Sequence, residues 1–141
     1  MGVDISTRVY GGHVVVALRG ELDIVDAARA AAAVTAVTHG GQRVIVDLSA
    51  LGFIDCSALG ALLGVQRLAR QAGGDVLLAA PQERVLRLLA LTGLGDVFCV
   101  HASLAAAVAS GGGSRARYAA RRPAVCAAGP GTAAALATGT R

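Results

Sequence analysis

Residues 44–64 read VIVDLSALGFIDCSALGALLG, and a change of period inside them decides the fold. Arg43 to Leu48, with Val44, Ile45 and Val46 consecutive, is the near-continuous apolar run of a strand covered on both faces. After a short connection, Leu59, Leu62, Leu63, Gln66 and Arg70 recur at helical spacing, so Ser57 to Gln71 is predicted as a helix. Gly73-Gly74 stops it. A buried strand followed directly by an amphipathic helix is half of a βαβ unit.

The same alternation extends in both directions. Val3 to Tyr10 alternates as an edge strand, Gly11-Gly12 is a two-residue hairpin turn, and His13 to Leu18 is a second buried strand. Gly20-Glu21-Leu22-Asp23 reads as a turn, followed by an Ala-rich helix from about Val25 to Thr38 that Gly40-Gly41 closes. Downstream come a strand at Asp75 to Ala80, a helix opened by Pro81 and running to about Thr92, a short strand at Val97 to Val100 and a last helix at Ser103 to Ala109. The order β-β-α-β-α-β-α-β-α predicts an α/β domain with a mostly parallel mixed sheet, its first hairpin adding an antiparallel edge. The strands ending near Arg19 and Leu48 then run parallel, and the turns after them emerge at one edge of the sheet. That edge, beyond the carboxyl ends of parallel strands, is where α/β proteins build sites. Asp23 and Asp55 to Ser57 lie on those two turns.

A chain of 141 residues carries a prior of one domain. With 55% hydrophobic residues but only 3% aromatic and no Trp, its core must be aliphatic, and it is too apolar to be disordered throughout. Pro123 to Thr140, the longest uncharged run in the tail, is interrupted by Pro130 and several glycines and does not read as a membrane helix. No basic region followed by an apolar run marks a secretory signal. Three cysteines at no metal-ligand spacing suit a reducing compartment rather than a disulfide scaffold, so a cytoplasmic location is expected. All 13 basic residues are arginine, and the absence of lysine excludes both a Walker-type phosphate loop and Schiff-base chemistry.

The formal charge of +4 is unevenly placed. Residues 1–110 hold eight arginines and all nine acids, whereas 111–141 hold five arginines and no acid. The chain therefore divides into a near-neutral domain, 1–110, and a Gly/Ala/Arg-rich basic tail, 111–141, which opens on Gly111-Gly112-Gly113-Ser114 and reads as disordered. Arg115, Arg117, Arg121 and Arg122 around Tyr118 are a candidate contact for nucleic acid or anionic lipid. A solvated tail is the plainer reading, since base stacking wants more than one aromatic. No nucleic-acid or membrane partner is expected.

Asp55 and Ser57 precede the apolar-periodic helix, where short polar side chains accept bonds from the free N–H groups of the first turn. A capping serine is the plain structural reading. The functional reading uses the same physics: a helix N-terminus carries about +0.5 charge and free donors, so a phosphate on Ser57 would be tolerated there. With Asp55 beside it, and Asp23 if the turns meet, that phosphate would change the charge of a surface patch without melting the fold. Cys56, at the same helix start, reads as an ordinary small residue, with a redox-sensitive partner contact as the alternative. Cys99 reads as core and Cys126 as a tail thiol. His13, His39 and His101 stand at no ligand spacing, so no metal is assigned. Ser57 lacks the Gly-x-Ser-x-Gly elbow of a hydrolase, and no catalytic residue is assigned. Leu88, Leu89 and Leu91 are read as core, and an exposed Leu or Val near Ala58, Ala61 and Val65 as partner surface.

Residues from about Val3 to Ala109 resemble the STAS domain, in particular the bacterial anti-sigma factor antagonists. The resemblance rests on GELD at Gly20 to Asp23, on residues 44–64, and on LALTGLGDVF at Leu89 to Phe98. It implies a non-enzymatic regulator of transcription that binds an anti-sigma factor, itself a histidine-kinase-like serine kinase, in a partner-switching system. It implies release on phosphorylation, reversal by a PPM-type phosphatase, and no cofactor, ATP belonging to the kinase. Position by position, the phosphorylated serine is Ser57, and the acidic residues of the two turns are Asp23 and Asp55. The partner-binding set is then Asp23, Asp55, Cys56, Ser57 and Ala58. Cys56 stands where the family has the first of two serines, and Ala58 where it has glycine, which places a methyl next to the modified hydroxyl. Those departures support an alternative: a STAS scaffold or ligand-binding accessory subunit without a phosphoswitch.

Overall fold

The structure, a computed structural model that describes residues 2–38 and 42–111, alternates strands and helices in the order the hydrophobic periods predict. The elements are β1 (Val3–Tyr10), β2 (His13–Leu22), α1 (Ile24–Ala36), β3 (Arg43–Ile54), α2 (Cys56–Gln71), β4 (Asp75–Ala79), α3 (Glu83–Thr92), β5 (Cys99–His101) and α4 (Leu104–Gly111), with a 3₁₀ turn at Leu94–Asp96. The strands lie side by side as β1-β2-β3-β4-β5. Only the β1–β2 pairing is antiparallel, as the Gly11-Gly12 hairpin requires; the other three are parallel.

Period-two alternation assigns each strand residue to one of the two faces of the sheet, and each face carries a core. Val16, Val46 and Leu78 lie opposite one another across β2, β3 and β4 and belong to the main cluster, which α1, α2 and α3 cover with Ala30, Val34, Leu59, Leu62, Val85 and Leu89. The adjacent row, Val15, Ile45, Leu77 and Cys99, faces the other way, where the single short helix α4 covers it with Ala107. The core is aliphatic apart from Phe98, so Leu88 and Leu89 are core as expected, but Leu91 is exposed. Among the described residues no helix is long and apolar enough to cross a membrane. The readings made for 112–141, including Cys126 and the basic tail, lie outside the described residues, as does His39.

Two predicted turns are strand. Gly20 to Leu22 continues β2, and Ser49 to Ile54 continues β3, the two pairing out to Leu22 and Ile54. Composition misled here because the Gly and acidic residues that resemble a turn belong to a bulge: the register shifts between Ala17 and Arg19 and again between Gly20 and Glu21. Gly20 adopts φ +100°, and a Cβ there would lie 2.5 Å from the Gly2 carbonyl oxygen, so the position admits no larger residue without rearrangement. Smaller differences concern ends: α1 stops at Ala36, α3 starts at Glu83 rather than at Pro81, and the last strand is Cys99–His101.

His101 is the one buried imidazole among the described residues. It is 5% exposed at the end of β5, with Ser110 Oγ of α4 3.1 Å and Cys99 Sγ 3.3 Å from Nε2. Burial disfavours its charged form and holds its pKa below the ordinary 6.5. The folded domain then binds fewer protons at this site than the unfolded chain, so stability should decline as pH falls below 6.5 and be insensitive to this group above it. Thermal unfolding between pH 7.5 and 5.5 should show that decline in the parent and a shallower one in His101→Gln; equal slopes would remove His101 as its source.

Candidate functional site

Both β2 and β3 end at the same edge of the sheet, and each passes through one aspartate into a helix. Asp23, in an extended conformation, caps α1: its Oδ1 accepts from the N–H groups of Val25 (3.0 Å) and Asp26 (3.3 Å). Asp55, also extended, caps α2 through Oδ1, which accepts from Ala58 N–H at 2.8 Å. Its second oxygen reaches across to α1, where Oδ2 accepts from Ile24 N–H at 3.0 Å. In the reverse direction, Asp55 N–H donates to the Leu22 carbonyl at 3.1 Å. The two turns therefore meet, as their parallel strands predicted, and a single carboxylate serves the first turns of two helices.

This capping leaves Ser57 free of the task its sequence position suggested. The cap is Asp55; the helix begins at Cys56, and Ser57 is its second residue. Cys56 and Ser57 are both exposed, and Cys56 is a free thiol. The hydroxyl thus stands on the surface at a helix tip, within the positive end of the α2 dipole, with Asp55 preceding it and the Asp23 and Asp26 carboxylates on the adjoining turn of α1.

Ala58 is placed differently. Its side chain is fully buried in the main core cluster. The methyl expected to crowd the Ser57 hydroxyl points inward instead, and what Ala58 adds to this corner is the N–H that Asp55 holds. Val65 is likewise buried, so the helix surface continuing from Ser57 consists of Gly60, Gly64 and Leu68, all exposed.

Three residues that the sequence did not single out complete the corner. Ile24 and Val25, directly after the Asp23 cap, are 66% and 81% exposed, and Phe53, near the end of β3, is 39% exposed. Adjacent β-branched residues immediately after a capping aspartate were the available signal, because the first helical positions project away from the core. The corner thus combines an apolar surface, three carboxylates and a serine hydroxyl. Among the described residues no group of three His, Cys, Asp or Glu could hold a metal ion.

The family model described as the STAS domain matches residues 4–107. Anti-sigma-F factor antagonist RsfA of Mycobacterium tuberculosis is 31% identical over 108 residues, which span 72% of this chain and 81% of the relative. The anti-sigma-B factor antagonist of Bacillus subtilis is 24% identical over 102 residues, 72% of this chain and 94% of that one. A crystal structure of an anti-sigma factor antagonist from Mycobacterium paratuberculosis matches with a TM-score of 0.71 at 25% identity, covering 79% of this chain and 96% of the other.

Two stability measurements check the geometry of the corner. Asp55→Ala removes acceptors from both helices and should cost about 2 kcal/mol in urea unfolding, whereas Asp23→Ala, which uncaps α1 alone, should cost about 1 kcal/mol. Equal losses would show that the Asp55–Ile24 bond adds nothing. Gly60→Ala and Gly64→Ala each add a methyl with nothing within 4 Å to meet it, so each should stabilise the domain by about 0.5–1 kcal/mol by the same method.

Proposed function

Because the chain belongs to the STAS domain family, we propose that it acts as an anti-sigma factor antagonist, binding an anti-sigma factor at the corner where α1 and α2 begin and released by phosphorylation of Ser57. Its curated relatives from M. tuberculosis and B. subtilis carry that function in their names. The observation that carries the reading is the division of labour between Asp55 and Ser57. Asp55 takes the capping role, so the serine hydroxyl is exposed and uncommitted at a helix N-terminus.

In the unmodified state the exposed Ile24, Val25 and Phe53 offer the apolar contact, with Asp23, Asp55, Cys56 and Ser57 around it. The partner is a serine kinase that transfers the terminal phosphoryl group of its own ATP to Ser57 Oγ: an O–P bond forms at the serine, the bond to the leaving ADP breaks, and the hydroxyl proton departs. The resulting phosphate brings close to two negative charges beside carboxylates already present. The α2 dipole and its free N–H groups stabilise that phosphate locally, so the helix survives while the surface becomes repulsive to a partner that fitted the unmodified form. A PPM-type phosphatase restores the hydroxyl by hydrolysis. Ala58 contributes through the fold rather than by contact.

A second reading, a STAS scaffold or accessory subunit without the switch, draws on Cys56 standing in place of the family's first serine. Ala58 does not favour it, since that methyl is buried away from the hydroxyl.

Capture of the anti-sigma factor separates the two readings. Ser57→Ala should bind it as the parent does and accept no phosphate from kinase and ATP, and Ser57→Asp should lose binding at least tenfold while melting within a few degrees of the parent. Incorporation of phosphate into Ser57→Ala, or undiminished binding by Ser57→Asp, would overturn the assignment of the switch.

A further inference from the structure

The sheet has two edges of unequal character. At one side β5 is three residues long; at the other β1 runs eight residues with no proline and pairs with β2 in an unbroken register. The Gly2 carbonyl accepts from Glu21 N–H at 3.1 Å, and the register continues from there, so Asp4, Ser6, Arg8 and Tyr10 turn their N–H and C=O groups toward β2. Val3, Ile5, Thr7 and Val9 therefore turn theirs outward. The Val3 carbonyl is taken by Arg29 Nη2 at 2.7 Å. Among the described residues no hydrogen bond reaches the outward backbone groups of Ile5, Thr7 and Val9.

Natural edges of this length are blunted by proline, by bulges or by charges that repel a second edge. Strand β1 has neither of the first two, and its charges are of opposite sign and symmetrically placed, Asp4 and Arg8 standing two residues either side of Ser6. We propose that β1 is a dimerisation edge, pairing antiparallel with β1 of a second copy about a two-fold axis at Ser6. Ile5 then lies opposite Thr7, Asp4 opposite Arg8, and Val3 opposite Val9.

Two independent features agree on that register. First, Ile5 and Thr7 both have outward backbone groups, so they form the hydrogen-bonded pairs, and they do so twice by symmetry. Second, the Asp4–Arg8 pairs fall on the non-hydrogen-bonded positions, where facing side chains approach most closely. Arg8 already lies on that face of the sheet, 3.8 Å from Asp47 and over the Tyr10 ring. Sliding the strands by two residues in either direction leaves both charges without their opposites. Ser57 lies on α2 and not on β1, so the strand pairing does not use it.

Light scattering on the full-length protein over a concentration series tests the proposal. The parent should reach twice the chain mass. Asp4→Arg and Arg8→Asp, each setting like charges opposite one another, should be monomeric, and the double variant carrying both changes should recover the dimer. Thr7→Pro removes an outward N–H without touching the β1–β2 ladder and should also be monomeric, its fold checked by circular dichroism. Amide exchange supplies a readout on the parent itself: Ile5, Thr7 and Val9 should be protected at high concentration and lose protection on dilution. A parent monomeric throughout, a dimer that persists in both Asp4→Arg and Thr7→Pro, or a dimer lost on truncation after Gly111 would overturn the proposal, the last by assigning the contact to the basic tail.

Discussion

One carboxylate closes the corner on which the rest of this structure depends. Asp55 satisfies a donor at the start of α2 and another at the start of α1, and its own N–H holds the end of β2. Helix N-termini otherwise expose donors that need water or a side chain, and two of them brought together would set two positive dipole ends side by side. A bridging anion offsets both. The distance between the two turns is thereby fixed by hydrogen bonds rather than left to loop packing, and Ser57, one residue into α2 from Cys56, inherits a defined position.

The two faces of the sheet are covered unequally, and this asymmetry sorts the molecule's roles. Three helices bury a large aliphatic cluster on one side, and one short helix screens a single row on the other. Stability resides mainly in the first layer, where Ala58, Leu59 and Leu62 anchor the inner side of α2. The outer side of the same helix carries Ser57, Gly60 and Gly64, which add little to packing. Glycine in an exposed helix is unfavourable relative to alanine, so this smooth outer side is maintained against the helix's own preference, as a surface that another molecule approaches closely would be.

Much of the architecture was legible because burial imposes the periods that sequence displays. Val44-Ile45-Val46 could only be a doubly covered strand, and Leu59, Leu62 and Gln66 only the inner side of a helix. The meeting of Asp23 and Asp55 followed from parallel strands ending together. Where the reading failed, a local signal had two structural meanings. Gly20 with its acidic neighbour reads as a turn, yet its positive φ serves a bulge within a strand, pressed against Gly2. Ser57 reads as a cap, yet Asp55 lies two residues earlier and is the better acceptor, having two oxygens for two helices. Ala58 looked like an intrusion on the surface because a motif aligned in sequence does not say which way a side chain turns; its position in the helix turns it inward. The exposure of Ile24 and Val25 went unread, although two β-branched residues directly after the Asp23 cap were there to signal it.

The reading of Ser57 as a switch rests finally on a balance of charges rather than on the hydroxyl alone. A phosphate among Asp23, Asp26 and Asp55 is repelled at short range, and in the interior of a protein that repulsion would unfold the segment. Here the group stands in solvent, where repulsion is screened, and the N–H donors of the α2 tip supply a counterweight that moves with the helix. The Asp23 and Asp55 carboxylates are themselves bonded to backbone N–H groups of the two helices, which spreads their charge into the dipoles they cap, and the Asp26 carboxylate is paired with Arg29 at 3.4 Å. The helix therefore tolerates the modified form, while a docked protein, which excludes the screening water and places its own surface against the phosphate, does not share the compensation. On the proposed function, that difference between carrier and partner would let a single phosphoryl group end an association without disturbing the fold that carries it.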